Sequence, residues 1–326
     1  MPDEFRTHQL QLPASPAGAR LDTALALALP QYSRSRLANW IREGEVTLDG
    51  KTARPRDLVY GGETINLRAR VPADASVLPQ SIPLDIRYQD EHLLVVNKPV
   101  GLVVHPGAGN PSRTLQNALL AWDPALATVP RAGIVHRIDK DTSGLLVVAR
   151  TIEAHAVLVE MLRIHAVHRD YLALVVGRIT GGGTIDHPIG RHRTDRLKMT
   201  VRVDGRPAVT HFRLVERFQN HTLLRVSLET GRTHQIRVHM AHVGHPLVGD
   251  QAYGGRRQLR AGDSDEVRAA LAGFKRQALH ATRLAFLHPG TGERVDIQAP
   301  APADLLALLS VLRDGDDGGD GGDDEM

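Results

Sequence analysis

At 326 residues the chain exceeds one ordinary domain, and about 150 residues per domain leads us to expect two. It contains no cysteine, which excludes disulfides and thiolate chemistry. Residues 1–20 are polar and proline-broken, and no apolar run approaches the roughly 18 residues of a membrane span, so a cytoplasmic protein without membrane contact is expected. The net charge of +3 conceals an asymmetry, because residues 314–326 carry seven acidic side chains and no basic one, leaving a body of +10. A body of that sign suits a polyanion, and the wide spread of arginines favours a phosphate backbone over a single small anion.

Residues 1–18 read as an N-terminal extension and 19–68 as a small separate module. Leu21, Leu25 and Leu29 form a helical stripe stopped by Pro30, and Leu37, Trp40 and Ile41 form a second after the capping candidates Ser33 and Ser35. Val46-Thr47-Leu48 and a short return strand flank Asp49-Gly50, a hairpin signal, and residues 63–67 alternate like a closing strand. Arg34, Arg36, Arg42, Lys51 and Arg54 decorate this unit. Basic residues on a helix often do no more than solvate a face.

Residues 69–81, with Pro72 and Pro79, read as a linker, and 82–313 as a larger second domain. Residues 93–96 and 102–104 are expected as short buried strands joined by Asn97-Lys98-Pro99-Val100-Gly101, whose Pro and Gly suit a turn. Leu115, Leu119 and Trp122 share a helix face after the cap Thr114, as do Leu158, Leu162 and His165 after Thr151. Strands are expected at 171–176, 208–216 and 223–228. The irregular spacing of helices and strands argues for a mixed α+β sheet over repeated βαβ units. Residues 314–326 are almost entirely Asp and Gly and are expected to be a disordered acidic tail.

The chemistry concentrates in two segments. His136-Arg137-Ile138-Asp139-Lys140-Asp141-Thr142-Ser143-Gly144 runs into the apolar 145–149, setting a carboxylate at the mouth of a buried strand, where burial without a partner would raise its pKa. By residue type alone, Asp139 would more commonly close an Asx turn, a job for which Asp141 is the better candidate. The second segment is Leu228-Glu229-Thr230-Gly231-Arg232-Thr233-His234-Gln235-Ile236-Arg237, in which Arg232 precedes a helix with the stripe Ile236, Met240 and Val243, ended by Gly244 and Pro246. A cation at a helix N-terminus is tolerable if an anion lies between, and either Asp139 or an RNA phosphate would serve. Tyr171 is by type a core strand residue or a stacking platform. His234, His239, His242 and His245 are crowded, but they lack an H-E-x-x-H pattern and Arg237 adds a cation, so no metal site is expected. Asp139-Lys140-Asp141-Thr142 also fits the D-x-D-x-T of magnesium-dependent aspartyl-phosphate phosphatases, but His136-Arg137 precede Asp139 where such enzymes need the first Asp directly at the end of a hydrophobic strand.

The two segments together resemble the RluA family of uridine-to-pseudouridine isomerases, with motifs H-R-[LI]-D-x-x-T-S-G and G-R-T-H-Q-I-R, over about residues 18 to 312. The Lys98-Pro99-Val100-Gly101-Leu102 segment matches the family's K-P-x-G-[LM], and residues 19–68 resemble the alpha-L RNA-binding module shared with a small-subunit ribosomal protein. Runs such as Gly190-Arg191-His192, Leu197-Lys198-Met199 and Pro246-Leu247-Val248-Gly249-Asp250 resemble the RluD type, which acts on large-subunit ribosomal RNA. The resemblance implies an α+β catalytic domain with a mixed, largely antiparallel sheet of the pseudouridine synthase fold, preceded by a small α/β alpha-L module. It implies Asp139 as catalytic carboxylate, Arg232 as the bidentate partner that keeps it ionised, and Tyr171 as the residue that stacks on the target base and helps remove the C5 proton. Arg137 would fill the gap left by a flipped-out nucleotide. Arg191, Arg193, Arg196 and Lys198, with Arg34, Arg36 and Arg42 of the front module, would follow the phosphates. Isomerisation is redox-neutral, so no cofactor or metal is expected, and the expected partner is large-subunit ribosomal RNA or its precursor, bound by a monomer. A non-catalytic RNA-binding or ribosome-assembly factor is the alternative from another class.

Overall fold

The computed structural model describes residues 4–14, 18–29, 32, 34–71, 77–107, 109–195, 197–254 and 262–317. The chain divides into two compact units, Met1–Leu78 and Pro79–Met326.

The first unit contains β1 (Glu4–Gln11), β2 (Ala19–Arg20), α1 (Leu21–Ala28), α2 (Arg34–Glu43), β3 (Val46–Leu48), β4 (Lys51–Thr52), β5 (Leu58–Val59) and β6 (Thr64–Val71). Both expected helical stripes are buried, and they pack with Val46, Ile65 and Leu67 into one core. Asp49 and Gly50 both have positive φ, 48° and 77°, which gives the β3–β4 turn the twist a tight hairpin needs. The four-stranded sheet has the order β1-β6-β3-β4. Residues 4–11 of the expected extension belong to this sheet, because β1 pairs with β6 over eight residues, from Glu4↔Val71 to Gln11↔Thr64. As an edge strand of sequence EFRTHQLQ it lacks the apolar alternation that would announce it. β6 likewise runs three residues into the expected linker, whose other end is tied to the second unit by the bond from Gln80 N–H to Asn117 O. Pro30, Ser33 and Pro72 lie outside the described residues.

The second unit runs β7 (Asp85–Gln89), β8 (Leu93–Lys98), α3 (Leu115–Trp122), β9 (Ser143–Ala149), α4 (Ile152–Arg163), β10 (His168–Val176), β11 (Gly183–Asp186), β12 (Ile189–Arg191), β13 (Met199–Val201), β14 (Val209–Arg217), β15 (His221–Leu228), α5 (Gln235–His242), α6 (Asp265–Gly273), β16 (Leu279–Leu287), β17 (Arg294–Gln298) and α7 (Ala303–Asp317). Its nine-stranded sheet has the order β11-β14-β15-β10-β16-β9-β8-β7, with β17 on β16. This is the expected α+β, mixed and largely antiparallel sheet. Among the described strands only β9 and β16 pair in parallel, at His280↔Ser143 and Ala281↔Gly144.

Gly144 makes that parallel junction possible. Its φ is +115°, and a Cβ there would lie 2.2 Å from the backbone oxygen of Ala281. All seven residues of β9 are buried. Leu145, Val147 and Ala149 pack with Ala154 and Leu158 of α4, while α6 and α7 cover Leu174, Val176 and Leu223 of β10 and β15. Each such Leu or Val contributes about 1.5–3 kcal/mol by leaving water. Thr114 and Thr151 cap α3 and α4 as expected, accepting from Asn117 N–H and Ala154 N–H.

Two expectations are corrected here. Residues 102–104 form no strand, and Val103 makes only an isolated bridge to Thr114. The helix α7 continues to Asp317, four residues into the expected disordered tail, because burial of Leu305, Leu308, Leu309 and Leu312 nucleates it and each further residue is cheap to add. Residues 318–326 lie outside the described residues.

Candidate active site

The sheet delivers Asp139 on a braced loop just before β9. Lys98 Nζ, fully buried at the end of β8, donates to Lys140 O at 2.9 Å and to Pro99 O at 2.7 Å. Gly101 N–H also donates to Lys140 O, and Thr142 N–H closes the turn onto Asp139 O. Gln277 Nε2 donates to Thr142 Oγ1 at 3.1 Å. Burial pulls the Lys98 ammonium down to about 7, opposed by the carboxylates of Asp141 and Asp139. The K-P-x-G segment is thus the floor of the loop. Asp139 both closes a turn, through its backbone oxygen, and keeps its carboxylate free for another task.

That carboxylate is held by Arg237, not by Arg232. Arg237 Nη1 donates to Asp139 Oδ2 at 2.9 Å, while Nε and Nη2 grip Asp250 at 2.7 and 2.8 Å. Its guanidinium also lies 5.0 Å from the ring centre of Tyr253, in range for a cation–π contact. Burial opposes the charge on Arg237, but Asp250 and Asp139 override it and hold the group above the ordinary arginine range. Burial likewise raises Asp250, and Arg237 with the N–H groups of Tyr253 and Ala252 brings it below the usual carboxylate range. Arg232 instead donates from Nε to Pro207 O at 3.0 Å, and its backbone N–H is held by Gln235 Oε1. The physical reason is position. Arg232 precedes α5 in an open turn, whereas Arg237 sits inside α5 at 8% exposure, where an unpaired guanidinium would be costly.

Asp139, Tyr171, Arg137 and Arg232 nevertheless converge on one cavity of about 490 Å³, formed between the 135–142 loop, the 230–237 segment and the end of α4. Tyr171 is 5% exposed, and burial raises its pKa, with Asp139 adding to the rise and Arg169 opposing it. It is therefore a neutral phenol on the wall of the cavity. Arg137 is exposed at the rim. A second cavity of about 420 Å³ shares Asp139, Arg137, His234 and Arg237, so the carboxylate stands between two openings. Oδ2 is committed to Arg237, which leaves Oδ1 as the oxygen able to meet a substrate.

The remaining expected residues lie elsewhere. Arg191 ends β12, and Arg193 and Lys198 lie in the turn to β13, all exposed or nearly so; Arg196 is outside the described residues. This basic hairpin is fastened to the site by the bond from Met199 N–H to Tyr253 Oη. Arg34, Arg36 and Arg42 belong to the first unit. Arg34 pairs with the buried Asp22, Arg36 lies 5.9 Å from the Trp40 ring centre, and Arg42 donates to Asn39. His239 bonds Thr210 Oγ1 and His187 O, and His245 bonds Val176 O. Among the described residues no group of three or more His, Asp and Glu is placed to hold a metal.

Sequence reasoning missed Arg237, Asp250 and Tyr253 as members of the site. A signal was present: an arginine between Ile236 and Val238, inside an apolar helix, demands buried carboxylates.

A site with one free carboxylate oxygen, a fixed cation behind it and a buried aromatic face suits reaction at a sugar carbon beneath a stacked base. Comparison with known proteins gives the family. Residues 92–242 match the family model for RNA pseudouridylate synthase, and residues 19–65 match the S4 domain. The chain belongs to the RNA pseudouridylate synthase family, RluA type, and is a pseudouridine synthase. It is 58% identical to the ribosomal large subunit pseudouridine synthase D of Xanthomonas campestris pv. campestris, over 96% of this chain and 95% of that one. The protein of the same description from Xylella fastidiosa is 57% identical over 94% and 93%. Among solved structures, human RNA pseudouridylate synthase domain containing 1 is 28% identical with a TM-score of 0.53, covering 72% of this chain and 97% of that one.

Proposed function

We propose that this protein isomerises uridines of large-subunit ribosomal RNA to pseudouridine, modifying several uridines of one hairpin loop near the subunit interface, with Asp139 as the catalytic carboxylate. The observation that carries the reading is the free Oδ1 of Asp139 at the cavity shared with Tyr171 and Arg137. The similarity to large-subunit enzymes supports the choice of RNA.

The target uridine swings out of its stack, Arg137 fills the gap, and Tyr171 stacks on the uracil and assists loss of the C5 proton. Asp139 acts at the ribose, as nucleophile at C1′ or as base for a sugar proton. Arg237 takes the role first assigned to Arg232, keeping Asp139 ionised and oriented, while Arg232 lines the cavity as a phosphate or base contact. Arg191, Arg193 and Lys198 follow the RNA backbone, as do Arg34, Arg36 and Arg42 on α2. The protein acts in the cytoplasm as a monomer and needs no cofactor.

Bonding of C5 to the sugar expels the C5 hydrogen, so RNA tritiated at uridine C5 reports turnover. Asp139→Asn is expected to bind RNA with a Kd within about threefold of wild type and to release no label; release at the normal rate refutes the assignment. Mapping pseudouridine in ribosomal RNA from cells lacking the protein tests the target, since a fully modified hairpin there, with no backup enzyme, excludes it.

A further inference from the structure

His234 occupies a position that the reaction as described does not use. It is the N-cap of α5, with φ 57° and ψ 22°, a left-handed conformation sparsely populated by residues other than glycine. Such backbone clusters where a side chain must be aimed. Its ring lines both cavities, and its Nε2 lies 3.9 Å from Oδ1 of Asp139, the oxygen that Arg237 leaves free. At 3.9 Å the two are not hydrogen bonded. The two therefore face the cavity side by side, so that neighbouring groups of one nucleotide lying over them can meet one each.

The tautomer follows from the ring's other contact. His234 Nδ1 lies 2.8 Å from Tyr253 Oη, and that oxygen already accepts from Met199 N–H at 2.8 Å. The phenol proton then finds its acceptor in Nδ1, which leaves the imidazole hydrogen on Nε2, aimed past Asp139 into the site. Burial favours the neutral ring, Arg237 and Arg137 push the same way, and Asp139 and Asp250 oppose them.

We propose that His234 is a catalytic hydrogen-bond donor whose Nε2–H serves the uracil carbonyl nearest C1′, with Tyr253 as the positioning residue that sets its tautomer. In the isomerisation the N1–C1′ bond breaks with its electron pair passing to the uracil, C5–C1′ forms, the C5 proton goes to solvent and N1 takes one up. Negative charge on the departing ring gathers on O2 and O4. Uracil has a near-symmetry about its N3–C6 line, which exchanges N1 with C5 and O2 with O4. A donor fixed beside C1′ therefore meets O2 while N1 is attached and O4 once C5 has replaced it. One N–H stabilises both ends of the reaction and binds most strongly when the ring is anionic.

The inference rests on Asp139 acting at the ribose, and the experiment separates the two. Single-turnover tritium release is measured with the full-length enzyme and a ribosomal RNA hairpin, alongside RNA affinity. Loss of a donor of this kind predicts a fall of about 10²–10³ in the rate for His234→Ala, with a Kd within about threefold. Glutamine places an amide N–H where Nε2 stood, so His234→Gln is expected to recover at least tenfold over His234→Ala. Tyr253→Phe should slow the enzyme about tenfold when His234 is present and have no further effect combined with His234→Gln. A target 2-thiouridine, whose sulfur is a poor acceptor, should slow the wild type far more than His234→Ala. Normal turnover in His234→Ala, no recovery by His234→Gln, or equal effects of Tyr253→Phe in both backgrounds overturns the proposal. If Asp139→Asn turns over normally, the parent reading fails instead.

Discussion

Arg237 holds Asp139 through a single 2.9 Å bond from Nη1 to Oδ2, while its other edge is locked to Asp250. The Asp139 carboxylate is thus positioned by a cation that is itself positioned, and Oδ1 is left to face the cavity. Arg237→Lys offers a point charge in place of a planar fork and cannot serve both carboxylates. We expect turnover to fall by at least about 10²-fold with the fold intact. Arg237→Ala takes the guanidinium away from the buried Asp250 and should cost about 3–5 kcal/mol in urea denaturation.

Tyr171 is expected to divide binding from chemistry. Tyr171→Phe keeps the stacking face, so RNA affinity should stay within about twofold while turnover falls. Tyr171→Ala removes the face and should cost about 1–3 kcal/mol of binding as well. Fluorescence titration with a uridine-containing hairpin, beside single-turnover tritium release, checks both. Equal affinities for the two variants would remove stacking from its role.

Gly144→Ala should disrupt the parallel β9–β16 junction. The added Cβ meets Ala281 backbone atoms at 2.2 to 2.7 Å with φ at +115°, and backbone cannot swing aside as a side chain tip can. A loss of about 3 kcal/mol or more is expected in urea denaturation. Asp139 sits five residues away on the loop that this junction anchors, so activity should fall further than the unfolded fraction explains.

Stability should decline with acid well before the carboxylates titrate. Burial holds His136 down to about 3 and His105 to about 4, with Arg169 adding at the first and Arg131 and Arg137 at the second. In the unfolded chain both protonate near 6.5. Below that value the unfolded state binds more protons than the folded one, so their contribution is complete above pH 6.5 and is lost as pH falls toward 4 and then 3. Each histidine adds about 1.4 kcal/mol per pH unit to the slope in that window. Urea titrations between pH 7 and 4.5 should show His136→Gln reducing the slope by one proton; an unchanged slope would show that His136 is not buried neutral.

The basic hairpin should act on affinity alone. Replacing Arg191, Arg193 and Lys198 together with Ala is expected to lower the slope of log K against log salt by about 0.7–0.9 per lost phosphate contact. Turnover at saturating RNA should be unchanged. A salt slope identical to wild type would place the RNA elsewhere.

Much of the architecture was legible because local pattern and burial agree. Leu21, Leu25 and Leu29, the Asp49-Gly50 turn, the run 145–149 and the caps Thr114 and Thr151 all form what their spacing demands. The edge strand β1 and the last turn of α7 were not legible, since pairing with β6 and packing of Leu312 supply what polar sequence does not advertise. Residues 102–104 show the converse, an apolar run with a single bridge in place of a strand.

Sequence by itself determined that a carboxylate at 139 would stand at the mouth of a fully buried strand, within a basic body, because the order of polar and apolar residues dictates both. Which arginine answers it was decided only by the tertiary structure. Arg232 and Arg237 are five residues apart and chemically identical. The turn into α5 directs one toward Pro207 and the other between Asp139 and Asp250, carboxylates 98 and 13 residues away from it in the chain. The aim of His234 was set the same way, by a left-handed cap and a phenol nineteen residues on. Such partnerships depend on where separate elements meet in space, and no local pattern encodes that meeting.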